Sequence, residues 1–216
     1  MARTGLKVWI LGLLWMTTST ACGSIYYGAM EKLGFEKRDI LVDRVKSARE
    51  EQAETKEVFA SALEEFRALV DMDGGDLEKQ YDRLSASYER SKSQASDVRA
   101  RVEAVRDVAT RLFREWDDEL ERYQSADLRR RSESQLDDTR KRYQVLIKAM
   151  DRATERMDPV LELYEDQVLF LKHNLNARAI AALDAESIKI AQRVDTLIDE
   201  MNSAIEEADT FIASMS

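Results

Sequence analysis

The residue types that most often carry chemistry are scarce in this chain, which has one histidine, His173, and one cysteine, Cys22. A zinc site needs several His, Cys or carboxylate ligands, and a nucleophilic site pairs its nucleophile with a base. Acidic side chains are abundant, but exposed carboxylates on helices lack the pocket that shifts a pKa towards catalysis. The sequence therefore predicts no catalytic residue, no metal site and no cofactor, and a protein that is not an enzyme.

Two motifs that could bind ions fail on spacing. Asp71-Met-Asp-Gly-Gly-Asp76 suggests a calcium loop, but an EF-hand counted from Asp71 needs glycine sixth and glutamate twelfth, where the chain has Asp76 and Asp82. Capping aspartates around a turn between two helices are the better interpretation. A phosphate loop is excluded because no glycine follows Gly75 and no earlier glycine precedes a Lys-Ser/Thr pair.

A basic cluster, Arg129, Arg130 and Arg131, stands out in an acidic chain near a predicted turn. The favoured interpretation is a solvated helix face whose arginines pair with acids such as Glu133. The alternative is a docking patch for an anionic partner.

A second candidate interaction surface lies in residues 170–183, where polar residues interrupt small and apolar ones. These polar residues are Lys172, His173, Asn174, Asn176 and Arg178. Because asparagine favours turns, a junction between two helices is the preferred interpretation. The alternative is a binding surface.

The amino terminus has the layout of a signal peptide: Arg3 and Lys7, an apolar run at residues 8–15, and small residues before Cys22. The run is too short to span a membrane. Ser19-Thr-Ala-Cys22 resembles the bacterial lipobox, although Ser19 stands where that motif usually has leucine. The resemblance implies cleavage after residue 21 and diacylglycerol on the Cys22 thiol. The alternative is an ordinary signal peptide with an incidental cysteine.

A lipid on Cys22 would leave no free thiol in an oxidising compartment, and several acyl chains make an effectively permanent anchor. Gly23 stands where Gram-negative sorting rules place aspartate for inner-membrane retention. Similarity to those rules implies the outer membrane, on its periplasmic face. Residues 22–38 are predicted to be a lipidated linker. Its short amphipathic stripe lies in the lipid interface or packs on the body; the stripe is Ile25, Tyr26, Ala29, Met30 and Leu33.

The rest of the chain, residues 39–216, has the composition of long helices. No glycine follows Gly75, Pro159 is the only proline, and 35% of residues are charged against 44% hydrophobic. The formal net charge of −9 disfavours nucleic acid and anionic lipid faces as partners.

Apolar residues alternate by four and three positions, as in a heptad seam. Predicted helices run from a cap at Asp39 to Leu69, from a cap at Asp76 to Tyr123, and from residue 127 onward, with a restart or kink at Pro159. A last helix carries Ile190, Val194, Leu197, Met201, Ile205, Ala208 and Ile212. Trp116 is predicted to be buried. The fold class is all-α: an elongated antiparallel helical bundle or coiled coil of three to four long helices.

Several segments resemble an uncharacterised family of helical bacterial lipoproteins, domain-of-unknown-function family 2959. They are Ser24-Ile-Tyr-Tyr-Gly-Ala-Met30, Lys37-Arg-Asp-Ile-Leu-Val-Asp-Arg44, Asp73-Gly-Gly-Asp76 and Leu171-Lys-His-Asn-Leu-Asn-Ala-Arg-Ala-Ile180. The resemblance covers essentially the whole mature chain and implies an envelope protein with coiled-coil character. It carries no known activity, so no catalytic residue is transferred.

Two functions remain. The favoured one is a lipid-anchored, periplasm-facing bundle that acts as a non-enzymatic envelope scaffold or binds another envelope protein. The alternative is a binding module for a small ligand or cell-wall fragment between the helices. A dry, continuous seam favours the first, and a pocket lined by Tyr and Asn favours the second.

Overall fold

The computed structural model describes residues 37–71, 76–174 and 176–215, apart from the side chains at positions 177, 181 and 185. Five helices account for nearly all of them: α1 Lys37–Val70, α2 Leu77–Leu120, α3 Ala126–His173, α4 Ala177–Ala182 and α5 Asp184–Met215. These residues contain no strand, which confirms the all-α prediction. The predicted signal peptide, Cys22 and the linker up to residue 36 lie outside the described residues.

The four long helices form a closed ring of neighbours. α1 packs against α2 and α5, and α3 packs against the same two helices, while short α4 contacts α5 and α1. Cross-helix ion pairs give the direction: Lys37 at the start of α1 bonds Glu115 near the end of α2, and Glu65 near the end of α1 bonds Arg90 nearer the start of α2. The described body is therefore an antiparallel four-helix bundle.

One stripe of each long helix forms the core. In α1 every predicted seam position is buried: Leu41, Val45, Ala48, Gln52, Thr55, Phe59, Ala62, Phe66 and Leu69. Each large apolar side chain that leaves water here contributes roughly 1.5–3 kcal/mol. Residues of α2 and α3 complete the same layers, as when Phe66 meets the Tyr164 ring edge to face at 6.2 Å.

The seam of α5 differs from the prediction at two positions. Ile205 and Ile212 are only half-buried, whereas Ala204 and Phe211 are buried. The buried set continues the alternation of four and three that begins at Ile190. The spacing therefore decides which residues face the core. Ile205 and Ile212 are only half-buried because they lie one position off the buried stripe.

The prediction of a buried Trp116 is wrong. Its side chain is half-buried and its Nε1 donates a hydrogen bond of 2.8 Å to the Ser132 hydroxyl. The reason is that α1 begins at Lys37, which bonds Glu115, the residue before Trp116. Trp116 therefore lies where α1 no longer covers α2. Tyr123, the predicted last residue of the second helix, lies past the end of α2 and is exposed.

Pro159 does not restart the helix, because α3 continues through it from Ala126 to His173. Proline removes the N–H that would bond the carbonyl of Glu155. Glu155 is exposed, so water can satisfy that carbonyl. Asp158, which would cap a helix that restarted at Pro159, instead bonds Arg99 of α2.

A few polar atoms in the core have no hydrogen-bond partner in the protein. Gln52 is fully buried and both of its amide atoms lack one, as do the hydroxyls of Ser87 and Tyr164. A buried polar group without a partner costs about 1–3 kcal/mol. The middle of the bundle is therefore less stable than its apolar seam allows.

We expect Gln52→Leu to stabilise the bundle, because leucine has a similar volume and no polar atoms to desolvate. The free energy of unfolding in urea, measured on residues 22–216, should rise by about 1–3 kcal/mol. Thr55→Val is the matched control: Thr55 donates a hydrogen bond to the Glu51 carbonyl, so its replacement should give no such gain. A loss of stability in Gln52→Leu would contradict this assignment.

Candidate interaction surfaces at the two ends of the bundle

At one end of the bundle α2 and α3 extend past the other two long helices. Lys37 Nζ lies 2.8 Å from Glu115 Oε1, and Arg38 bonds the carbonyl of Met215, so α1 begins and α5 ends at the level of Glu115. Beyond that level α2 and α3 are joined through residues 121–125. We call residues 119–133, which form the end of this helical hairpin, the hairpin tip.

The hairpin tip is shaped by its turn. The Ser125 hydroxyl caps α3 by accepting from the Leu128 N–H, and the Arg122 N–H donates to the Glu119 carbonyl at the end of α2. All residues from 121 to 131 are exposed. Two of them are large and apolar, Tyr123 at 40% and Leu128 at 53% exposure. The tip therefore presents an aromatic and an aliphatic side chain to the surroundings.

The three arginines of the tip are exposed and paired. Arg129 contacts Glu121 at 2.8 Å, and Arg130 and Arg131 contact Asp127 at 3.1 and 3.0 Å. The prediction of a paired, solvated face is confirmed, with Glu121 and Asp127 as the acids in place of Glu133. Exposed pairs of this kind contribute about 0–1 kcal/mol, so the arginines can exchange these partners at little cost.

At the opposite end two asparagines form the junction between α3 and α4. The Asn174 amide donates to the Phe170 carbonyl at 3.0 Å, and its backbone N–H donates to Leu171. Asn176 caps α4, because its Oδ1 accepts from the N–H groups of Arg178 and Ala179. The junction interpretation is confirmed, and both asparagine side chains serve the backbone.

The other predicted residues of this segment, Lys172, His173 and Arg178, are exposed at the same end. No described carboxylate lies within ion-pair distance of Lys172 or Arg178. No Asp or Glu occurs from position 167 to 183, in a chain with 42 acidic residues. We call residues 167–183 the acid-free end. Other elements at the same end of the bundle carry exposed acids, namely Asp71, Asp76 and Asp184.

The acid-free end also exposes apolar side chains that the sequence analysis did not single out. Leu169 is 54% and Phe170 42% exposed. Ile188, in the second turn of α5, is 60% exposed at the same end of the bundle. A signal was present: residues 168–171 are four consecutive apolar residues, and a helix cannot bury all four on one stripe. Leu171 and Val168 face the core, and the other two face out.

A groove between α3 and α5 is a candidate for a ligand pocket. Its volume is about 340 Å³ and it is open to solvent. Its lining includes Glu162, Asp166, Lys189 and Arg193 and has neither Tyr nor Asn, the residues that would favour the ligand-binding alternative. A second cavity of about 310 Å³ is lined by Glu119, Arg122 and Tyr123 and has no Asn. In the described ranges, no group of three or more His, Cys, Asp or Glu is arranged to hold a metal ion. No helix of the described part is long and apolar enough to cross a membrane.

Shifted pKa values occur away from both ends. Burial raises the pKa of Tyr164 and of Tyr143, and burial is also the main cause of the raised pKa of Tyr88. These phenols stay neutral. Tyr164 packs against Phe66 and Tyr143 against Phe113, with ring centroids 6.2 and 5.3 Å apart, and the Lys92 ammonium lies over the Tyr88 ring. Their role is structural.

The structure thus defines the class: an antiparallel four-helix bundle whose polar features lie on its surfaces and at its ends. The chain belongs to the family described as Protein of unknown function (DUF2959), whose sequence profile matches residues 26–215. This confirms the family that the sequence resembles. No curated protein and no solved structure matches the chain.

We expect Asn176→Ala to weaken the start of α4, because the Arg178 amide loses its acceptor and the Ala179 amide keeps only the Asn176 carbonyl. Loss of a helix N-cap costs about 0.5–2 kcal/mol. Amide hydrogen exchange at positions 178 and 179 should accelerate accordingly. Asn176→Asp, which keeps an acceptor oxygen, should exchange like the wild type. Unchanged exchange in Asn176→Ala would show that this side chain is not a cap and is available to bind a partner.

Proposed function

We propose that this protein is a non-enzymatic, lipid-anchored component of the bacterial cell envelope that holds a docking surface for another protein away from the membrane. The observation that carries the proposal is the placement of the two ends. The described chain enters the bundle at Lys37, level with Glu115, and its exposed apolar patch lies at the other end of α3.

The anchor is the part of the proposal that comes from the sequence. Cys22 stands in the lipobox-like segment, and fifteen residues, 22–36, connect it to α1. α3 has 48 residues, which is about 72 Å at 1.5 Å per residue. The acid-free end therefore lies up to this length from the end of the bundle that follows the anchored linker. Gly23 supports the outer membrane as the location, with the bundle on the periplasmic side.

The acid-free end supports the docking role by its composition. Leu169 and Phe170 are neighbouring exposed apolar side chains, and Lys172 and Arg178 flank them with positive charge. Exposed apolar groups with a polar rim are typical of protein interaction sites. The charge favours a partner whose own rim is acidic.

The anchor is tested by replacing the cysteine. We expect Cys22→Ser to abolish labelling by radioactive palmitate and to leave the precursor unprocessed, because the thiol is the acceptor of the diacylglycerol. Cell fractionation should then find the variant no longer in the outer-membrane fraction. Equal labelling of Cys22→Ser and the wild type would refute the lipid anchor.

The docking surface is tested by photo-crosslinking in intact cells. A benzophenone amino acid at position 170 should give a discrete crosslinked product, because this side chain would contact the partner. The matched control is position 145 in the middle of α3, where Val145 is also exposed. The product should be lost when Lys172 and Arg178 are both changed to Glu. Crosslinking that is equal at both positions, or that survives the charge reversal, would contradict a docking site at the acid-free end.

A further inference from the structure

We propose that the hairpin tip rests on the phospholipid headgroups of the membrane that holds Cys22, with Tyr123 and Leu128 at the interface and the arginines on lipid phosphates. This inference rests on the proposed anchor at Cys22. It assigns a partner to the basic cluster of the tip, which the docking role of the opposite end leaves unused.

The position of the tip is the first argument. α1 begins at the level of Glu115, and the last turn of α2 and the connection to α3 lie beyond that level. α2 continues past it through residues 116–120, which is roughly 8 Å at the helical rise, before the turn at residues 121–125. The hairpin tip is thus the part of the described body that projects furthest on the side where the chain comes from Cys22.

The tether length is the second argument. Fifteen residues from Cys22 to position 36 span at most about 50 Å when fully extended. A linker of this length lets the projecting tip reach the lipid surface. A surface that is held this close to a membrane needs side chains that tolerate the interface.

The side chains of the tip meet that need. Tyr123 and Leu128 are exposed at the turn, and tyrosine is enriched where its ring can sit at headgroup level. The other basic side chains are Arg122, Arg129, Arg130 and Arg131. Arginine offers a planar fork of donors that fits phosphate oxygens, and its apolar stem can lie along the lipid surface.

The charge of the tip also supports contact with phospholipid headgroups. The tip also carries acidic residues, namely Glu119, Glu121, Asp127 and Glu133, and the exposed Asp118 directly precedes them. The four acids within residues 119–133 balance the four arginines, so the tip itself is formally neutral in a chain of net charge −9, and Asp118 adds one negative charge beside it. Asp117, just behind the tip, is paired with Arg140. A phosphate surface therefore repels this end less than the acidic sides of the bundle, and the exposed ion pairs can open at little cost.

The test uses residues 22–216 made without lipid, whose only thiol is Cys22. The thiol is coupled to a maleimide lipid in vesicles of phosphatidylcholine and phosphatidylglycerol that contain brominated acyl chains. Trp116→Phe removes the only tryptophan of this segment, and one tryptophan is then introduced at position 123, 145 or 170. Circular dichroism confirms that each variant is folded.

We expect bromine to quench the tryptophan at 123 several-fold more than those at 145 and 170, with a blue shift of its emission on coupling. Changing Arg129, Arg130 and Arg131 together to Gln should reduce that quenching at an equal coupling yield. Quenching at 123 no greater than at 170 would overturn the inference, as would equal quenching at 145, which would mean that the bundle lies flat. Because the maleimide replaces the native modification, this outcome is independent of the palmitate labelling of Cys22.

Discussion

Burial of one apolar stripe on each long helix holds this molecule together. The stripe repeats every seven residues, and each repeat must meet the stripes of two neighbouring helices to leave water. In α1 the stripe is unbroken from Leu41 to Leu69, and α2, α3 and α5 supply the facing layers. Four-helix packing therefore extends only along the part of the bundle in which all four long helices lie side by side. The shape and composition of the two ends depend on where this overlap stops.

The overlap stops because the helices differ in length. α2 and α3 have 44 and 48 residues, whereas α1 and α5 have 34 and 32. The surplus of α2 and α3 becomes the hairpin tip at one end. At the other end α3 gives way to the asparagine junction and α4. The two ends of the same bundle therefore have different shapes and chemistry, which a bundle of four equal helices would not provide.

The unequal lengths of the helices also explain which features of the fold could be predicted from the sequence. The seam of α1 was predicted at every position because local spacing alone determines which residues face inward. Trp116 has the same local pattern, but its burial depends on whether α1 and α5 reach its level, and no local pattern contains that information. The exposure of Leu169 and Phe170 was not predicted for a related reason. An apolar residue predicts burial, but here Val168 and Leu171 already take the positions that face the core.

Pro159 and the two asparagines illustrate a second limit. Proline at this position predicts an interruption, but the packing of α3 against α2 and α5 keeps the helix continuous, and a solvent-facing carbonyl absorbs the lost hydrogen bond. The asparagines predicted both a junction and a binding surface. The hydrogen bonds of Asn174 and Asn176 to the backbone distinguish the junction from a binding surface. These bonds depend on the residue at which α3 ends, and the sequence does not determine that residue.

Charge gives the two ends a shared property. The acidic excess of the chain makes the sides of the bundle repel other acidic surfaces, over a range of about 8 Å at physiological ionic strength. The hairpin tip is formally neutral, and residues 167–183 have no acidic side chain. These two segments therefore carry less of the acidic excess than the sides of the bundle. This distribution favours contacts through the two segments over contacts through the long faces, and it supports the proposed tethered spacer.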